Sequence, residues 1–165
     1  MFGFLKTRKF PPSFAGKPLL ASEVGLELIY DSSGDESEEW RLFKEQHQVE
    51  LTKGEMTIRG RRLATTGDIL KIFITGLGTL LIYDETPYQD THAFTLEGEH
   101  LWDIEGCNFE IGKKSYSLGV PNIIKRDDSG RDLLLLSYYP AVFATDLHTG
   151  KGTYLWAMRD DTDEK

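Results

Sequence analysis

The chain has 165 residues, 39% of them hydrophobic and 12% aromatic, with 16 glycines; this is enough apolar mass for one domain spanning 1–165 that buries about 70% of its surface, and it excludes a chain disordered throughout. Its 27 acidic against 19 basic side chains leave a net charge of −8, which repels a phosphate backbone, argues against nucleic acid as a partner and favours a basic protein. A single cysteine, Cys107, leaves no internal disulfide and no cysteine-based zinc site, so a reducing, cytoplasmic setting is expected.

Residues 1–21 mix Lys6, Arg8 and Lys9 with Phe2, Phe4, Phe10, Phe14 and the pair Pro11-Pro12. Adjacent prolines disfavour a helix, and the segment is expected to lie extended as an arm. Its apolar run at 2–5 is too short for the core of a secretion signal, and no stretch has the length of a transmembrane helix, so no membrane partner is expected.

From Glu23 to Asp31, Val24, Leu26, Leu28 and Tyr30 recur at period two, which predicts a strand with those four on one face. Ser32-Ser33-Gly34-Asp35 ends it in a turn. Beyond an acidic run, Trp40, Phe43 and His47 stand at helical spacing while residues 46–51 alternate toward Val49 and Leu51, so a short helix followed by a strand is expected. Lys53-Gly54-Glu55 then turns the chain, and Met56 to Arg59 pairs back. Ile69 to Ile74 and Thr79 to Tyr83 are apolar, β-rich runs around Gly76-Leu77-Gly78 and predict two more strands. The stretch from Asp84 to Thr91, with Pro87, predicts a polar loop.

Two hairpins follow. The first joins residues 92–96 to 100–104 through Glu97-Gly98-Glu99; the second joins 142–147 to 153–158 through His148-Thr149-Gly150-Lys151-Gly152. Each is preceded by an apolar strand, at 80–83 and 133–138, so a three-stranded unit occurs twice between Thr79 and Met158 as a candidate internal repeat. Gly98 and Gly150 are expected to supply the positive φ of the turns, and Trp102 and Trp156 each to cover one face of their hairpin. Between the units, Ile123 to Arg126 and Leu133 onward flank Asp127-Asp128-Ser129-Gly130-Arg131, a further turn. Residues 159–165 are charged and are expected to form a flexible tail.

In the second hairpin a strand ends at Asp146, Thr149-Gly150-Lys151 makes the turn and the return strand carries Trp156. This resembles the blade hairpin of quinoprotein-type β-propellers, and Phe94 to Trp102 is a shorter copy. The resemblance implies meanders and no cofactor, because a closed propeller needs at least about four blades of about 40 residues. The expected fold is therefore mainly β: antiparallel sheets of blade-like meanders packed together, not a closed propeller, with at most one or two short helices.

The reactive residue types form no catalytic motif. His47, His92, His100 and His148 lack helical ligand spacing. His92 and His100 flank one turn, where they could face each other across the hairpin, but they are read as surface strand residues. Cys107 reads as a small buried hydrophobe. The acids at Asp31, Asp35 and Glu36 and at Asp127, Asp128 and Asp132 do not match a calcium loop and read as solvated turns. No catalytic, metal or cofactor residue is assigned, and a binding protein is favoured over an enzyme.

The segment from Asp31 to Glu45 is the best interface candidate. Asp35, Glu36, Glu38 and Glu39 would steer a basic partner toward Trp40 as an aromatic anchor; the competing structural role for Trp40 is to fill the core. In size, charge and texture the chain is also similar to small acidic bacterial immunity proteins, which implies a partner that is a toxin or effector. The expected function is protein binding through this acidic surface. The alternatives are a small hydrolase with acids and His100 or His148 around a cleft, and a structural subunit of a larger assembly.

Overall fold

A computed structural model describes residues 19–52, 55–63, 68–84, 91–104, 109–111, 114–116, 120–138 and 141–157. In chain order its elements are β1 (Leu20–Ala21), β2 (Leu26–Asp31), α1 (Glu38–His47), β3 (Val49–Thr52), β4 (Glu55–Ile58), β5 (Arg61–Arg62), β6 (Ile69–Thr75), β7 (Leu80–Asp84), β8 (Thr91–Phe94), β9 (His100–Asp103), β10 (Phe109–Ile111), β11 (Lys114–Tyr116), β12 (Val120–Arg126), β13 (Asp132–Tyr138), β14 (Ala141–Asp146) and β15 (Gly152–Ala157). The fold is mainly β, every strand pairing is antiparallel, and none of the sheets closes into a barrel or propeller among the described residues. The arm at 1–18, Cys107, the turn residues Lys53 and Gly54, and the tail at 159–165 lie outside the described residues.

Two compact units divide the chain: Val24–Asp103, and a second made from the flanking segments Met1–Glu23 and Ile104–Lys165. The first holds a five-stranded sheet in the order β2-β6-β7-β8-β9 together with the small sheet β3-β4-β5; the second holds a five-stranded sheet β1-β12-β13-β14-β15 and the hairpin β10-β11. Each large sheet is thus a four-stranded meander with one edge strand added from far upstream. The two predicted three-stranded units are present as β7-β8-β9 and β13-β14-β15. Their hairpins share an irregularity as well. The register shifts between Ala93 and Phe94 opposite Trp102 and His100, and again between Val142 and Phe143 opposite Trp156 and Tyr154. Leu101 and Leu155 are the extra residues of the two bulges.

The meander turns share one chemistry. Thr95 Oγ1 accepts from the amides of Glu97 and Glu99, and Gly98 N–H donates to Thr95 O. Thr75 Oγ1 accepts likewise from Leu77 and Thr79, Asp127 Oδ1 from Ser129 and Arg131, and Asp146 Oδ1 from His148 and Thr149. In all four a short side-chain acceptor replaces backbone partners that the turn cannot supply. A glycine with positive φ completes each, at +82° for Gly78, +92° for Gly98, +86° for Gly130 and +77° for Gly150, where an L side chain would be strained.

The core of the Val24–Asp103 unit lies between its large sheet, α1 and the small sheet: Ile29, Trp40, Phe43, Met56, Ile58, Ile72, Leu80, Ile82 and Phe94 are buried together. Helix α1 begins where Ser37 Oγ accepts from Trp40 N and donates to Ile29 O. Glu38 and Glu39 in the first turn and Lys44 and His47 in the last complement its dipole. It ends at Gln48 in the left-handed region. Burying Trp40 and Phe43 contributes on the order of 2–3 kcal/mol each, so packing holds a helix too short to be stable alone.

Three expectations are corrected. The alternation read along β2 fails at a bulge between Leu28 and Tyr30. The extra residue changes which face follows, so Ile29 is buried at 4% exposure and Leu28 stands at 45%. The ends of the predicted loop from Asp84 to Thr91 are buried strand residues, Asp84 closing β7 and Thr91 opening β8, while residues 85–90 between them, with Pro87, lie outside the described residues. Asp127, read as a solvated turn acid, is buried, because it caps its own turn and takes the Arg131 guanidinium at 2.8 Å.

Candidate functional site

The acidic segment ahead of α1 and the helix itself form the wall of a cleft of about 630 Å³ in the Val24–Asp103 unit. Tyr30, Asp31, Glu36, Trp40, Lys44 and Asp68 line it, together with the apolar Leu51 and Ile69. Asp31 ends β2 and meets Lys71 of β6 at 2.8 Å. Hydrogen bonding from Lys71, with further donors on Ser33, holds its carboxyl down at about 2. Glu36 meets Lys44 at 2.5 Å, and the Lys44 ammonium lies 5.6 Å from the centre of the Trp40 ring.

Of the five residues expected to meet a partner, Asp35, Glu36, Glu38 and Glu39 are exposed. Trp40 is 3% exposed, a core side chain with its ring 5.0 Å from Tyr30 and 5.9 Å from Phe43. The apolar residue on the outer face of the helix is Leu42, 48% exposed. One turn away on that face stand Glu38 and Glu39 before it and Glu45 after it. Arg41 bridges this face, 2.8 Å from Glu38 and 3.9 Å from Glu45.

A second cluster stands at the end of β7, β8 and β9. His92, read from sequence as a surface residue, is 7% exposed and donates from Nδ1 to Asp103 Oδ1 at 2.6 Å. Its Nε2 lies 3.2 Å from Asp84 Oδ2, near enough for ion pairing but off the line of a hydrogen bond. Burial opposes a charge on this ring, but the Asp84 and Asp103 carboxylates outweigh it and hold the imidazolium up to about 9. His100 Nε2 reaches the same Asp103 oxygen at 2.8 Å, so the two histidines meet through a shared carboxylate. Burial works against the charge of Asp103, and the two imidazoles together hold its carboxyl below the ordinary range. A histidine protonated between two carboxylates has no lone pair with which to act as a base. The arrangement makes a charged rung across β7, β8 and β9.

In the second unit Asp132 gathers Ser22 Oγ at 2.7 Å, Arg126 Nη2 at 3.0 Å and His148 Nε2 at 3.7 Å. The Ser22 hydroxyl, with the Arg126 charge behind it, keeps this carboxyl low. His100 and His148, the two histidines of the hydrolase alternative, are each engaged with an aspartate of their own unit. Among the described residues no three His, Cys, Asp or Glu side chains gather as a metal-binding set, and no helix is long and apolar enough to cross a membrane.

Comparison with protein-family models, with curated proteins and with solved structures gives no significant match to any of the three.

The interface candidate was legible from the run of acids, whereas Leu42 was missed, although its spacing from Glu38 and Glu45 is a readable helical signal. Asp84 was missed because a single acid at the edge of a predicted loop carries no sign that it is buried.

Proposed function

We propose that this chain is a protein-binding domain that meets a basic partner through the outer face of α1, in the manner of an immunity protein covering a cytotoxic enzyme. The observation that carries the reading is Leu42, an exposed aliphatic side chain one helical turn from Glu38, Glu39 and Glu45. Such an anchor excludes water at the centre of an interface while the acids around it steer a basic surface and fix its register. The net charge of −8 acts in the same direction at longer range.

The test is binding to the purified products of adjacent reading frames, by calorimetry at low and at physiological salt. Binding is expected to weaken about tenfold or more as salt rises, and to be lost in Glu38→Lys/Glu39→Lys and in Leu42→Asp with the circular dichroism spectrum unchanged. Binding that ignores both salt and these substitutions, or no binding at all, would overturn the reading.

A further inference from the structure

We infer that the cleft beside α1 is a subsite for an arginine side chain of that partner; the inference rests on the protein-binding reading and adds the chemistry of what enters. Three observations on different elements support it.

The first is the charge of the lining. Asp31, Glu36 and Asp68 face the cleft against one lining ammonium, Lys44. Lys71 answers Asp31 and Lys44 answers Glu36, which leaves Asp68, exposed at the start of β6, with no ion pair to a described residue. Among the described residues one negative charge therefore remains for an incoming cation. The second is the aromatic wall. Half-buried Tyr30 lines the cleft, while Trp40, 5.0 Å from it, is buried at 3% exposure and its indole is already covered by the Lys44 ammonium bound to Glu36. The chain's own lysine thus shows that one corner of the cleft holds a cation between a ring and a carboxylate. The third is size: about 630 Å³ is well above the roughly 300 Å³ at which specific pockets begin, so a second long cationic side chain can enter beside Lys44.

Arginine fits this lining better than lysine. Its planar guanidinium can lie against an aromatic wall and present paired N–H groups to a carboxylate, and it is more weakly hydrated than an ammonium. Trp40 and Lys44 line the cleft from the side of α1 opposite Leu42, so a titration reads the subsite independently of the outer face.

The test is an amide and indole NMR titration of the full chain with blocked hexa-arginine, with blocked hexa-citrulline, which keeps the shape and loses the charge, and with free arginine. Hexa-arginine is expected to shift the Trp40 indole N–H and the Asp31 and Asp68 amides saturably, hexa-citrulline to leave them in place, and Asp68→Asn to weaken the arginine peptide about tenfold. Shifts confined to Glu38, Leu42 and Glu45, equal shifts with the citrulline peptide, or no effect of Asp68→Asn would overturn the subsite and leave the outer-face reading standing. Free arginine binding as tightly as the peptide would make this a small-molecule site and overturn the partner assignment. Partner binding that survives reversal of Glu38 and Glu39 would instead remove the outer-face reading without altering the titration.

Discussion

At one rung the two large sheets part company. β8 sets His92 opposite Asp103, on the outer side of the bulge at Leu101; at the matching rung outside the bulge at Leu155, β14 sets Ala141 opposite Ala157. The strand order, the bulge and the turn caps are common to both sheets. The charged rung is not. A meander of this kind therefore tolerates either two alanines or a charged pair at that place, and backbone plan and site chemistry vary independently. The sheet of the Val24–Asp103 unit buries His92 beside Asp84, whereas the other keeps its histidine, His148, exposed at the rim and 3.7 Å from Asp132.

The sharpest way to break this comparison is to remove each histidine in turn. His92→Ala leaves the buried Asp84 and the half-exposed Asp103 without their shared cation, and breaking a buried pair in this way costs about 3–5 kcal/mol. His148→Ala removes an exposed, long ion pair and is expected to cost less than about 0.5 kcal/mol. Urea unfolding midpoints of the two variants measure the contrast; equal losses would mean that the buried rung has no special standing.

The pH dependence comes next in size. His92 is held at about 9 against an ordinary 6.5, so its contribution is complete below pH 6.5 and is lost as pH rises through 9. Linkage puts the full effect at about 3 kcal/mol. Unfolding of the parent chain between pH 6 and 10 should show this decline, and the same series on His92→Ala should be flatter by that amount.

The smallest contrast separates two glycines that share a backbone conformation. A Cβ on Gly98 would lie 3.2 Å from Leu63 Cδ2 and 3.3 Å from Arg61 Cδ, whereas one on Gly130 would meet nothing within 4 Å. Gly130→Ala is expected to cost about 1 kcal/mol from φ alone, and Gly98→Ala about 2 kcal/mol or more once overpacking is added. Thermal unfolding of the pair checks this, and equal shifts would show that the turn over β4 and β5 yields freely.

Much of the fold was legible because its signals are local. The helix followed by a strand over residues 38–52 could be read from Trp40, Phe43 and His47 at one spacing and Val49 and Leu51 at another. The hairpins around Gly98 and Gly150 could be read from turn chemistry that acts within five or six residues. The short strands β5, β10 and β11 were not anticipated, since two or three residues are too few to establish a period.

By itself, then, the sequence determined a mainly antiparallel β chain with at most one or two short helices, its turns, its repeated meanders and the place of its acidic segment, because alternation, helical spacing and turn caps are properties of neighbours along the chain. Tertiary structure alone decided that Ile29 rather than Leu28 enters the core, that His92 is buried between Asp84 and Asp103, and that Ser22 meets Asp132 across 110 positions. One extra residue in a strand reverses every face beyond it, and charges far apart in sequence meet only when strand register brings them together.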